Sequence, residues 1–172
     1  MNPEQRAAGV LLHITSLPGP HGSGDIGASA QHFVDWLAAG GQKLWQMLPL
    51  GGIGPGNSPY MSSSAFAGNV LLIDLHELNR RGWLDDDDVR PDPRLHGFDD
   101  RAVNFAAMIP YRMERLARAA RRFSDAATAD ERAQLGAFRA SQAPWIADYA
   151  VFMALSEAHG WREWSEWPAA LA

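Results

Sequence analysis

Hydrophobic residues are arranged differently in the two halves of this chain. In the first half they come in short, unbroken runs between turn residues. Gly9-Val-Leu-Leu-His-Ile14 and Lys43-Leu-Trp-Gln-Met-Leu48 are each of strand length. Continuous apolar runs of that length fit strands buried on both faces, as in a parallel sheet. Between them, Ala28 to Ala39 carries Phe33, Trp36 and Leu37 at helical spacing and is stopped by Gly40-Gly41. Strand, helix, strand predicts a βαβ unit, whose two strands are parallel. A third apolar run, Val70 to Asp74, leads into a short helix from Leu75 to Arg81, which ends at Gly82.

In the second half the apolar period becomes helical. Phe105, Met108, Ile109, Met113, Leu116, Ala120 and Phe123 predict a helix over Val103 to Phe123, with Pro110 kinking it or marking its start. Glu114 stands four residues before Arg118, a spacing that supports a helix. Thr128-Ala-Asp-Glu131 is a capping box opening a helix to about Ala140. Trp145, Ile146, Tyr149, Phe152, Met153 and Ser156 mark a third helix, closed by Gly160. Trp161, Trp164 and Trp167 follow at spacing three, and Pro168 stops the pattern. The change of pattern divides the chain into 1–84 and 85–172.

Two loops join these elements on the side where parallel strands present their carboxyl ends, the side at which α/β folds bind ligands. The first, Thr15 to Gly27, holds Pro18, Pro20, His21, Gly22, Gly24 and Asp25. His21 and Asp25 are read there as groups that satisfy loop backbone rather than as chemistry. The second, Leu48 to Asn69, reads LPLGGIGPGNSPYMSSSAFAGN. Its glycines admit unusual backbone angles and close ligand approach, and Pro59 forces Ser58 into an extended conformation. The loop is therefore shaped, and it presents Ser58 and Tyr60.

Composition narrows what these loops hold. With 172 residues and 47% hydrophobic content, the chain suits one domain or part of a larger one. A net charge of −5 disfavours nucleic acid, and the absence of cysteine excludes disulfides and thiolate metal sites. No stretch has the length of a membrane span, and the start MNPEQRAAGV, whose first residues Met1 to Ala7 read as a frayed end, does not resemble a secretory signal. A cytoplasmic protein is the default expectation. His13, alone in its run, reads as a buried histidine with a local hydrogen-bond partner, because a lone histidine is a poor ligand set. Asp85 to Asp88 reads as a solvated loop, since it lacks the alternating ligands of a calcium site. Arg90 to Asp100 reads as loop. The glycine-rich stretch is neither a P-loop, for Lys43 is the only lysine, nor a dinucleotide fingerprint, for no helix follows it. No nucleophile elbow, HExxH pair or carboxylate pair stands out, so neither a cofactor nor a metal site is expected. A tyrosine face beside hydroxyls suits sugars, which show an apolar ring face and a polar edge.

The ordered motifs LLHITSLPGPHGSGDIG, FVDWLAAGGQKLWQMLPL, GNSPYMSSSAFAGNVLLIDL and DYAVFMALSEAHG resemble the N-terminal part of the 4-alpha-glucanotransferases, the amylomaltases or disproportionating enzymes of glycoside hydrolase family 77. The resemblance runs from about Arg6 through the helical half. It implies an α/β fold: the first strands and helices of a (β/α)8 TIM barrel, followed by a mainly α-helical insertion, the barrel itself incomplete. It implies transfer of α-1,4-glucan segments to a new 4-position, with retention through a covalent glycosyl-enzyme. Maltooligosaccharides or α-1,4-glucan are then the ligands. Tyr60 resembles the tyrosine that packs on the sugar beside the scissile bond, and Ser58 a sugar-contacting serine. The family's catalytic carboxylates lie in later strands, so no catalytic residue is assigned to this chain, and alone it is expected to be inactive. Asn57, Val70 and Pro55 depart from residues common in the family, Pro55 removing an aromatic that some relatives place in this loop. Two rival readings are a non-catalytic glucan- or partner-binding module and an α-amylase-type hydrolase, the latter less suited to the SPYMSSSAFAGN spelling.

Overall fold

The computed structural model describes residues 6–90 and 101–171; the expectations for Met1 to Gln5 and for 91–100 lie outside the described residues. Strand β1 (Gly9–Leu11) pairs in parallel with β2 (Leu44–Gln46), with Val10 opposite Trp45. The two strands flank α1 (Ala28–Ala39), as the βαβ pattern requires. The pairing continues past the strand ends: the Leu12 amide donates to the Gln46 carbonyl at 3.0 Å, and the Lys43 amide to that of Ala8 at 2.9 Å.

Both strands are shorter than their apolar runs, and neither is buried on both faces. Each shows an exposed, half-buried, exposed pattern, and Leu11 is 59% exposed. The reason is structural. Among the described residues the sheet has only two strands, so each keeps an open edge, and apolar side chains stay in water. β1 ends where His13 turns the chain. Its Nδ1 lies 2.7 Å from Thr15 Oγ1 and accepts from the Thr15 amide, capping a 3₁₀ turn over Ile14–Ser16. The local partner expected for His13 is therefore Thr15.

α1 buries Ala30 and Leu37. Phe33 meets the edge of Trp45 at 4.9 Å, and the Trp45 indole donates to the Leu12 carbonyl at 2.8 Å. Trp36 corrects the one-face expectation: it stacks on the outer side of Phe33 and is 58% exposed. The run Val70 to Asp74 is not extended. Asn69 caps it by accepting from the Leu71 amide at 3.0 Å, and Val70–Leu72 closes a 3₁₀ turn that buries Leu71 and Leu72. Asp74 caps α2 (Leu75–Arg80) in the same way, through the His76 amide at 2.9 Å. Short polar side chains at such positions satisfy helix-terminal amides.

α3 (Phe105–Ala126) is capped by Asn104 and runs through Pro110 without ending. It packs on α2, burying Leu75, Leu84, Val89, Tyr111 and Ala119 as a core, with Trp83 edge-on to Phe123 at 5.1 Å. In the acidic run Asp85, Asp86 and Asp87 are exposed, as a solvated loop would be, and the same helix draws in only the fourth residue. Asp88 is buried; its carboxylate pairs with Arg118, and its carbonyl accepts from Arg115 Nε at 2.6 Å. Asp85 pairs with Arg122. Arginines at helical spacing supply a basic stripe that composition alone does not show.

The chain forms two compact units, Met1–Ala127 and Thr128–Ala172. The second begins at the capping box: Thr128 accepts from the Glu131 amide at 3.2 Å, and the Glu131 carboxylate accepts from the Thr128 amide at 2.8 Å. This opens α4 (Ala129–Ser141), and α5 (Ile146–Ala158) follows. Trp167 is buried against Phe152 and His159, and its indole donates to the Arg162 carbonyl at 3.2 Å. Trp161 and Trp164 remain more than half exposed, at 60% and 56%. Among the described residues, no helix is long and apolar enough to cross a membrane.

Candidate functional site

The stretch from Leu50 to Asn69 is braced by its own backbone. Gly51 and Gly68 form an antiparallel bridge, and the Asn69 amide donates to the Leu50 carbonyl at 2.8 Å, so the loop is pinched at its base. Inside it, the Gly54 amide donates to the Ser58 carbonyl at 3.0 Å across a turn over Pro55–Asn57. Two left-handed residues make that turn, Gly56 (φ 68°) and Asn57 (φ 59°), the residue types that tolerate this region. Gly54 is required by close approach: a Cβ there would lie 2.0 Å from the Met61 carbonyl oxygen. The serine run is a set of local caps. Ser62 Oγ donates to the Ser64 carbonyl at 2.8 Å, and Ser64 Oγ accepts from the Phe66 and Ala67 amides at 3.1 Å.

On this frame Tyr60 is 69% exposed, and Met61 and Phe66 stand out at 57% and 72%. Ser58 is half-buried, and its Oγ accepts from the Tyr60 amide at 3.3 Å. That bond leaves the hydroxyl proton of Ser58 available to a ligand. The structure thus brings Ser58 and Tyr60 together, on the loop that leaves the carboxyl end of β2.

Thr15 to Gly27, leaving the carboxyl end of β1, is built the opposite way. His21 through Asp25 are all buried. His21 Nε2 donates to the Val89 carbonyl at 2.9 Å, its ring lies against those of His76 and Tyr111, and Nδ1 has no partner among the described residues. Burial pulls its pKa down to about 4, and the nearby Arg112 guanidinium adds to this, so His21 is neutral. Asp25 Oδ2 accepts from Arg112 Nη2 at 3.0 Å. Burial pushes the Asp25 carboxyl up, and Arg112 opposes that rise. The sequence reads both as satisfying backbone of their own loop; instead His21 bonds the Val89 carbonyl and Asp25 the Arg112 guanidinium, each outside it.

Arg112 is the residue that sequence reasoning missed. It is completely buried, and besides Asp25 its guanidinium donates to the carbonyls of His21, Ile73 and Ser23, each at 3.1 Å. The available signal was its spacing: it falls four residues after Met108 on the buried face of an amphipathic helix.

A cleft of about 760 Å³ opens beside this loop, lined among others by Asp25, Gln31, Asn69, Asp74, His76 and Arg80. Ser58 and Tyr60 do not line it. Among the described residues, no group of three or more His, Asp or Glu could hold a metal ion.

Comparison with known proteins identifies the scaffold. Residues 12–172 match the 4-alpha-glucanotransferase family, glycoside hydrolase family 77. The chain belongs to that family. Over 96% of its length it is 45% identical to the 4-alpha-glucanotransferase of Thermus thermophilus, and over 97% it is 39% identical to the chloroplastic/amyloplastic 4-alpha-glucanotransferase DPE1 of Arabidopsis thaliana. The amylomaltase from Streptococcus agalactiae, solved in complex with acarbose, superposes over 95% of this chain with a TM-score of 0.86 and 39% identity. These are partial correspondences on the other side. The chain spans 32% and 28% of those two relatives and 32% of the amylomaltase. What is shared with the 4-alpha-glucanotransferases is thus about a third of each protein, and it includes both loops described above.

Proposed function

We propose that this chain forms one wall of the glucan site of a 4-alpha-glucanotransferase. The observation that carries the proposal is Tyr60: an exposed ring on a self-braced loop, at the carboxyl end of a parallel strand, in a member of this family. Its face is free to pack on a glucose ring, and the Ser58 hydroxyl beside it donates to a sugar oxygen. Residues 1–84 make the first strands and helices of a (β/α)8 barrel, and 85–172 a helical insertion whose first long helix returns to that beginning. The ligands are maltooligosaccharides or α-1,4-glucan, in keeping with the acarbose held by the amylomaltase. The whole protein transfers segments of 1,4-α-glucan to a 4-position of glucose or a glucan acceptor, in the cytoplasm. Within this chain the role is binding, because retention needs a carboxylate nucleophile and a carboxylic acid, and in this proposal the chain supplies neither.

Two measurements test the proposal. Titration of the chain with maltoheptaose is expected to show binding that Tyr60→Ala weakens at least tenfold; equal affinity of the two proteins would remove Tyr60 from the site. Incubation of the 172-residue chain with maltotriose is expected to yield no glucose or longer oligosaccharides. Disproportionation would show that the chain carries catalytic groups of its own.

A further inference from the structure

We infer that Arg112 is a positioning residue for the glucan face: by clamping Thr15 to Gly27 and the Ile73 turn from α3, it fixes the root of the loop that carries Tyr60. The inference rests on the glucan reading above for its functional part only.

The segment from His21 to Asp25 lies in no helix or strand, yet it is buried. Buried backbone carbonyls need donors. Arg112 supplies them to His21 and Ser23, and its third nitrogen reaches the Ile73 carbonyl on the far side. A planar guanidinium offers donors in several fixed directions at once, which no other side chain does. Asp25 completes the arrangement by neutralising the buried cation.

From there the connections run to the sugar loop in two steps. The Ile26 amide donates to the Leu72 carbonyl at 2.9 Å, tying the clamped loop to the turn that Asn69 caps. Asn69 is also the residue whose amide holds Leu50 and closes the base of the Tyr60 loop. Arg112 itself touches neither Ser58 nor Tyr60. It acts through Ile26, Leu72 and Asn69, so a helix of the second half of the sequence sets the angle at which the first half presents its tyrosine.

The test separates clamping from charge burial. In Arg112→Met/Asp25→Asn the buried charges leave together, so the fold is not burdened by a lone carboxylate, while the carbonyl contacts are lost. Amide hydrogen exchange is followed at Ile26 and Asn69, with Leu12 and Lys43 of the strand pair as internal references. Exchange is expected to accelerate at least tenfold at Ile26 and Asn69 and less than threefold at Leu12 and Lys43, with maltoheptaose affinity falling at least threefold. A residue that merely stabilised the fold would accelerate all four amides alike; that outcome, or unchanged exchange at Asn69, overturns the inference. If the double variant does not fold, Arg112→Gln/Asp25→Asn carries the same comparison. Should wild type fail to bind maltoheptaose, the glucan reading fails, and the exchange contrast alone still decides the clamp.

Discussion

Thr15 to Gly27 and Leu48 to Asn69 look alike in sequence. Both are rich in glycine and proline, both leave the carboxyl end of a strand, and β1 and β2 lie side by side. They fold in opposite ways. The first is drawn inward, with His21 fully buried and Ser23 and Asp25 at 4% and 7% exposure, and it is held from outside by Arg112. The second stands in solvent and is held from inside by Ser58, Ser62 and Ser64. What separates them is where their hydrogen-bond partners come from. A loop satisfied by its own short side chains can face water and stay shaped, whereas a loop satisfied by a remote arginine must be buried to receive it.

If that contrast is right, single substitutions will act very differently on the two loops. Arg112→Met leaves Asp25 as an unpaired buried charge and is expected to cost about 3–5 kcal/mol, read from urea denaturation. A loss below about 1 kcal/mol would mean that the clamp is dispensable.

Acid should reach the first loop before the second. The folded pKa of His21, about 4, lies below its unfolded value of 6.5, so the unfolded chain binds the extra proton between those values. His21 therefore contributes stability that is fully present above pH 6.5 and is lost as the pH falls towards 4, up to about 3 kcal/mol. Asp25 works the other way, since a carboxyl pushed up by burial takes its proton earlier in the folded state and favours folding as the pH falls. Comparing the pH dependence of the urea midpoint in wild type and His21→Gln isolates the histidine: the variant should lose the slope across pH 4 to 6.5.

In the second loop the effects should shrink. Gly54→Ala forces a Cβ against the Met61 carbonyl and is expected to cost about 1–3 kcal/mol, checked by thermal melting. Tyr60→Ala, at an exposed ring, should change stability by less than about 0.5 kcal/mol while abolishing most glucan affinity. A Tyr60→Ala chain that melted several degrees early would place the tyrosine in the fold and erase the distinction between the loops.

Much of this was legible in the chain itself. The βαβ order, the capping box at Thr128 and the exposure of Tyr60 follow from local rules: apolar period, short polar caps, and glycine and proline placement. The strand lengths were not legible, because an apolar run records which residues favour burial, not how many neighbouring strands are there to provide it. Trp36 shows the same limit, its helical spacing being right and its ring staying largely exposed. Arg112 and the Asp88–Arg118 pair were hidden for another reason. Each joins residues tens of positions apart, and a charge on a helix reads as solvated until its partner is known.

The bridge between Gly51 and Gly68 has a further consequence, for change over time. Because it fixes the two ends of the Tyr60 loop, the chain between them can vary in sequence or lengthen without disturbing the strands, and doubling a closed loop costs only about 0.6 kcal/mol. A change at Pro55 is then an exchange inside a loop whose two ends are held. The loop is a cartridge: its contents can be rewritten for a different sugar while the scaffold that receives it stays as it is.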